Sequence, residues 1–432
     1  MIAKQLKSNV AMWLAAGLVP RASSSNVATA IGDNDTESHQ LARGVNSAAN
    51  KRKRRIGSDR RGALTFAMLM LLVIFILLAA WVLDWVYLVL VQRNMQQRMD
   101  LVALAGTPAL LDEDLLRDAA GAPQADQSDD IDAAVAQSDN FRSLNNGAGS
   151  KLLVMKTGDV RVVPGFVADP ARPTSGSFGS LAGDDTLNAL KVLGQRTASS
   201  ANPVARLLDG FWNAGPANVE STSVAALDNL VIGFRPTRTL PAPLAPLAIS
   251  AQSWKNQRSG DTNHNGIKEL IVRLASEEPS AAPANGALIG LNGTFDISRL
   301  GEQISGGVSP SDLGTSGWFG PVTSSQKLVA PGTQKTSESL AAELASRFEF
   351  VAGSVTPLRA YPLYDNFNGS AEQATLVGFV AARVIAAEVI DDRLTVTVEP
   401  AFLIHASVRT APPDDATAPE RNLYVHRLTL VR

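Results

Sequence analysis

The chain contains no cysteine. That excludes disulfides, thiol chemistry and Cys-ligated zinc, so a domain outside the cytoplasm must hold together by packing alone, or by packing plus a hard cation. An excess of one charge is also missing. The formal net charge is -2 over 432 residues, which gives no field for nucleic acid. Catalytic patterns are scarce. The four histidines, His39, His264, His405 and His426, stand at neither HExxH nor HxH spacing. There is no GxSxG elbow, no GxxxxGK[ST] loop and no GxGxxG after a strand. Asp184-Asp185 and Asp391-Asp392 are adjacent carboxylates, which on a strand would point to opposite faces, so they read as turn residues. An enzyme is therefore not expected.

What is present is one long apolar stretch. From Ala63 to Leu83 about 21 residues carry no charge, which at ~1.5 Å per residue of helix matches the ~30 Å hydrocarbon core of a bilayer. Before it stand Lys51, Arg52, Lys53, Arg54, Arg55, Arg60 and Arg61; after it come only Arg93 and Arg98, beside Asp84 and Asp100. This asymmetry predicts a single pass through the inner (cytoplasmic) membrane, with the N-terminus in the cytoplasm and the C-terminal part outside it. Trp81, Trp85 and Tyr87 fall where an interfacial aromatic belt would sit, and Asp84 marks the exit from hydrocarbon. Apolar residues continue beyond Asp84 and then alternate with Gln92, Arg93, Gln96, Gln97 and Arg98. One helix is thus expected from about Ala63 to about Ala105, stopped by Thr107-Pro108. A shorter apolar piece, Val10 to Val19, faintly imitates a signal peptide but reads as an amphipathic or unstructured segment.

Around this stretch the chain divides into residues 1–59, a disordered cytoplasmic segment, and 60–106, a transmembrane and amphipathic helix. Residues 107–150 read as an acidic helical linker and 151–432 as an extracytoplasmic region with a subdivision near 236–250, where prolines cluster. Within it a hairpin is expected about Gly158, a helix from Asn202-Pro203 through Trp212, a short helix at Ser337–Phe348, and strands at Ile267–Ala275, Gly286–Gly293 and, overlapping that helix, Ser346–Val355. The strongest β signal is Gly378–Val408, with Asp391-Asp392 between two β runs and Thr395, Thr397 and Glu399 alternating with valines. The fold class expected is α+β: a long N-terminal transmembrane helix, then a mainly antiparallel β region with short helices.

One local motif suggests a ligand. In Gly260–Val272, side-chain oxygens at Asp261, Asn263 and Asn265, the turn-permitting Gly266, a carbonyl at Ile267 and the carboxylate of Glu269 outline a hard-cation loop suited to Ca2+. It is not an EF-hand, because the twelfth position is Val272. It is similar to the short calcium loops of FG-GAP-type β repeats, though in a single copy. The competing reading is a polar turn before a strand, with Asn and Gly supplying left-handed backbone.

Arg60-Arg61-Gly62, Asp84, Arg93, Met95-Gln96, Asp100 and Leu104-Ala105-Gly106 fall at a spacing that resembles the N-terminal segment of Flp pilus-assembly TadE/TadG-like proteins. Farther on, NALKVLGQRT, SVAALDNLVIGFRP and GFVAARVIAAEV are similar in order to the exported part of TadG-like membrane proteins of planctomycete-type bacteria. The resemblance implies a non-enzymatic, single-pass accessory of tight-adherence pilus assembly whose partners are the membrane and other Flp/Tad proteins. It also implies that Asp84, Arg93, Gln96, Asp100, Leu104 and Gly106 face partner helices. Pilin-like members carry a Glu five residues after the processed glycine. Ala67 stands there in this chain, and Asp296-Ile-Ser298 lacks the rest of a von Willebrand A metal site. The implied role is an anchored accessory and not a fibre subunit. A membrane-tethered binding module unrelated to pili, with or without calcium, is the alternative.

Overall fold

Fifty residues of unbroken helix, α1 (Gly57–Gly106), lead into the rest of the chain. The computed structural model describes residues 57–111, 113–117, 128–146, 158–171, 178–179, 187–208, 215–274, 283–291, 296–320, 338–354, 357–365, 375–411 and 420–431. The signal-like piece at Val10–Val19, the basic run Lys51–Arg55, the pair Asp184-Asp185 and the first arm of the expected hairpin about Gly158 lie outside them. No proline or glycine falls between Ala63 and Ala105, which is why the helix runs on without a break. It starts at Gly57, so residues 57–59 form its first turn and do not belong to a disordered segment. It ends in a 3-10 turn, Thr107–Leu110, with a proline in its first positions. There the Thr107 hydroxyl donates to the Ala103 carbonyl at 2.7 Å.

The second half of α1 buries Val91, Met95, Met99, Val102 and Ala103. Spacings of three and four put these on one stripe. Full burial of each large member is worth about 1.5–3 kcal/mol relative to exposure. The stripe lies across sheet one, built from β1 (Val160–Val167), β2 (Phe178–Gly179), β3 (Ala189–Arg196), β4 (Val219–Asp228), β12 (Leu403–Ile404) and β14 (Val425–Val431). Their order is β12-β14-β4-β3-β1-β2, antiparallel throughout except for the short β12–β14 pair. At Gly194 in β3 a Cβ would stand 2.5 Å from the Met99 sulfur, so the missing side chain lets the helix settle onto the strand.

Beside α1 lies α3 (Ser128–Asn146), after the short α2 (Asp114–Arg117). Leu110 and Ala134 belong to the same apolar cluster as Met99, Leu190 and Val192. Residues 107–110 and 128–146 are therefore not a linker. They are part of the first core, where Leu110, Ala134 and Phe141 pack in the cluster that holds α1 on sheet one.

Residues 236–246 carry the chain to sheet two, touching it through isolated bridges such as Leu244 to Ala360. Sheet two comprises β6 (Leu247–Ser250), β7 (Leu270–Arg273), β8 (Gly286–Leu288), β9 (Leu358–Asp365), β10 (Thr375–Ile390) and β11 (Arg393–Pro400), in the order β7-β11-β10-β9-β6-β8. Only β6–β9 is parallel. Apolar clusters cover both its faces; one includes α6 (Glu338–Ala352), the other Phe234, Phe319 and Phe379 in edge-to-face contact. The helices α4 (Ala251–Asn256) and α5 (Ile297–Gly306) complete this half. A small pair, β5 (Val231–Phe234) with β13 (Val408–Thr410), joins the two halves, and the chain returns to sheet one through β12 and β14.

The mixed helix and sheet composition, the long apolar helix and the dominance of antiparallel pairing follow the expectation. Two local readings do not. Among the described residues of the expected helix at Asn202–Trp212, none is helical: Val204 instead forms a two-way bridge with Ala217, because its backbone is drawn to the neighbouring β chain. The helix expected to end at Phe348 is α6 and runs on through Ala352, so the overlapping strand reading from Ser346 fails: Phe348 and Val351 continue the helix's buried stripe. Thr395 and Glu399, the polar members of the alternation in β11, are buried at 4% and 0% exposure because sheet two is covered on both sides.

Candidate functional site

Two polar arrangements are built into otherwise apolar surroundings. The first lies on α1. Asp84 is 4% exposed; it accepts the main-chain N–H of Leu207 at 3.0 Å and pairs with the Arg206 guanidinium at 3.5 Å. One turn past the start of the buried stripe, the Gln96 amide donates to the Asp100 carboxylate at 2.8 Å and to the Thr222 carbonyl at 2.9 Å. Its oxygen receives the Ser221 hydroxyl at 2.6 Å. Leu104 is partly buried in the same cluster. At Gly106 a Cβ would stand 2.7 Å from Leu190 Cδ2 and closer still to Ser138 Oγ, so the missing side chain lets α3 and β3 sit close to the helix there.

The resemblance to TadE/TadG-like segments sets these positions against partner helices. Asp84, Gln96, Asp100, Leu104 and Gly106 are occupied instead by the chain's own sheet, loop and α3, and only Arg93 is exposed. The physical reason is the buried stripe. Once it lies on sheet one, residues flanking it meet β4 and the 204–208 loop first.

The second arrangement is the loop Gly260–Glu269, a turn closed by an antiparallel bridge between its ends. Asp261 accepts main-chain N–H groups of Asn265 and Gly266, each at 3.0 Å. Glu269 accepts the Thr262 N–H at 3.0 Å and its hydroxyl at 2.5 Å. The Asn265 side-chain oxygen accepts the Ile267 N–H, and the Ile267 side chain is fully buried. His264 and Gly266 take left-handed backbone, with φ of 58° and 84°.

Both asparagine amides point to a residue absent from the sequence motif. Asn263 and Asn265 donate to one oxygen of Glu399 at 2.5 and 3.0 Å. Arg383 reaches the other oxygen at 3.7 Å and also pairs with Glu113 at 2.8 Å, while Arg117 donates to the Asn265 carbonyl at 2.8 Å. The loop thus ties the segment after α1 to β10 and β11 of sheet two. Asp261 and Glu269 spend their oxygens on the loop's own donors. Among the described residues no three His, Cys, Asp or Glu side chains converge as a metal site requires. Glu399 could have been suspected from the run TVTVEP, where a charge ends an alternation in a strand otherwise rich in β-branched residues. Arg383, Glu113 and Arg206 carry no local signal, since each is paired with a residue far away in the chain, 270 positions in the case of Arg383 and Glu113.

A Ser/His contact also exists. Ser407 stands 2.7 Å from His405 Nδ1, and its main-chain N–H donates to the same nitrogen at 3.2 Å. Ser407 is only 3% exposed and His405 is partly buried, and the two form the turn between β12 and β13. Burial pulls His405 and His426 down to about 4, which leaves both imidazoles neutral near pH 7. Burial also raises the Asp228 carboxyl above its ordinary value, against hydrogen bonds from Thr410 and Leu230.

No protein-family model matches the chain, and neither the curated proteins nor the solved structures contain a match to it.

Proposed function

We propose that the protein is a single-pass membrane-anchored accessory without enzymatic activity, its C-terminal region outside the cytoplasm, acting in tight-adherence pilus assembly. The observation that carries the anchor is the division of α1. Every residue from Leu64 to Ala79 is exposed and none is charged, and none of the helix's most apolar window is buried. So much apolar surface is unfavourable in water and suited to lipid. A helix satisfies its own backbone hydrogen bonds, as the bilayer demands. The preceding basic run supports a cytoplasmic N-terminus. The pilus assignment rests on the residues that resemble TadE/TadG-like segments, from Arg60-Arg61-Gly62 to Leu104-Ala105-Gly106.

Two measurements test the two parts. Membranes washed with alkaline carbonate should retain the protein, and protease added to the outer side of the inner membrane should reach the region after Asp84; release by carbonate would overturn the anchor. Solubilised from its native membrane, the protein should copurify with a secretion ATPase or other Flp/Tad component. Their absence would remove the pilus role and leave the anchor standing.

A further inference from the structure

We infer that the turn at Arg206 and Leu207 rests on the bilayer surface, with the Leu207 side chain at the boundary between headgroups and acyl chains. The inference depends on α1 spanning the membrane. Asp84 is the first charged residue after the apolar run, so it lies where such a helix would leave hydrocarbon. Two contacts tie the distant Arg206 and Leu207 to it: the Leu207 N–H at 3.0 Å and the Arg206 guanidinium at 3.5 Å. The turn is thereby held at the level of the exit.

The exposure at this level is inverted relative to a surface that faces water, where carboxylates are out and large apolar groups are in. The Asp84 carboxylate is 4% exposed, whereas Leu207 is 59% exposed, Trp81 58%, Leu83 61% and Trp85 60%. A carboxylate at the edge of hydrocarbon is costly unless paired and hydrogen-bonded. Arg206 and the main-chain N–H supply that pairing, and what remains pointing outward is a leucine level with two tryptophans. Tryptophan favours the interfacial layer. An apolar side chain beside it is within the ~5–10 Å depth that interfacial segments reach.

The absence of native cysteine makes the test clean. Leu83→Cys, Leu207→Cys and Phe350→Cys, each labelled with a polarity-sensitive fluorophore, are compared in the full chain reconstituted into phosphatidylcholine/phosphatidylglycerol vesicles with and without brominated lipids. Phe350 is 67% exposed on α6, which packs on sheet two. Blue-shifted emission and quenching at positions 83 and 207, with neither at 350, is the expected result. Quenching at 83 without quenching at 207 overturns the inference and leaves the anchor. No quenching at 83 overturns the anchor and the inference with it. Equal quenching at 207 and 350 overturns it too, since adsorption would then be unspecific.

Discussion

The two halves of α1 share one backbone and opposite surroundings. From Leu64 to Leu83 apolar side chains point in every direction and are almost all exposed; from Val91 to Gly106 most of them, Leu101 excepted, keep to one stripe that is buried against sheet one. The difference lies in arrangement more than in average apolarity. Gln92, Arg93 and Gln97 occupy the side of the second half that faces away from the sheet. The first half has no polar side, and its residues need an apolar surrounding that the described residues do not supply.

The comparison is sharpest in paired truncations. Met99→Ala removes a fully buried side chain packed on sheet one and should destabilise the folded region by about 2–5 kcal/mol, read as a lower Tm in detergent micelles. Leu72→Ala, in the exposed half, should leave that Tm unchanged. An equal loss from both would mean that Leu72 is packed within the protein, and the contrast between the halves would fall.

Acidification should act on the domain and leave the exposed half alone. His426 is buried and neutral, with its value pulled down to about 4 from an ordinary 6.5. The unfolded chain therefore binds the proton first as pH falls. Stability from this group is complete above about pH 6.5 and declines until about pH 4, by on the order of 3 kcal/mol. His405 adds a change of the same sign. Asp228, whose carboxyl is raised by burial, opposes it. Tm measured from pH 7.5 to 4.5 should fall, and should fall less in His426→Phe; an unchanged slope in that variant would show that His426 is not the group responsible.

A smaller effect is expected at the loop that joins the two cores. Thr262→Val removes one donor to the buried Glu269 while its N–H remains, a loss of about 1–2 kcal/mol. If the loop is a polar latch, adding millimolar calcium should not restore the lost Tm. Recovery with calcium would show that the cation takes over the carboxylates that the loop's donors now satisfy.

The parts of this molecule that could be read in the sequence are those whose causes are local. The uncharged run Ala63–Leu83, the stop at Thr107-Pro108 and the turn at Asp391-Asp392 each follow from a few neighbouring residues. The last is a tight hairpin turn with both aspartates at positive φ, 49° and 57°, joining β10 to β11. Asp84 is legible as a boundary but not as an ion-pair partner, because Arg206 approaches it through a loop whose course is set by the Val204–Ala217 bridge. The same applies to Glu399. Its place at the end of the TVTVEP alternation marks it, but its partners Asn263 and Asn265 come from the 260–269 loop, which no pattern within β11 records. Likewise, Ser346–Phe348 reads both as the end of a helix and as the start of a strand, and packing over β10 and β11 decides for α6.

The continuity of α1 across Asp84 also fixes orientation. With no proline, glycine or loop between its exposed and buried halves, the helix has no hinge at that point. A tilt of the first half is therefore a tilt of sheet one, and a rotation about its axis turns the same face of the domain through the same angle. Neighbouring copies held side by side by their first halves would present their domains in register, all facing one way.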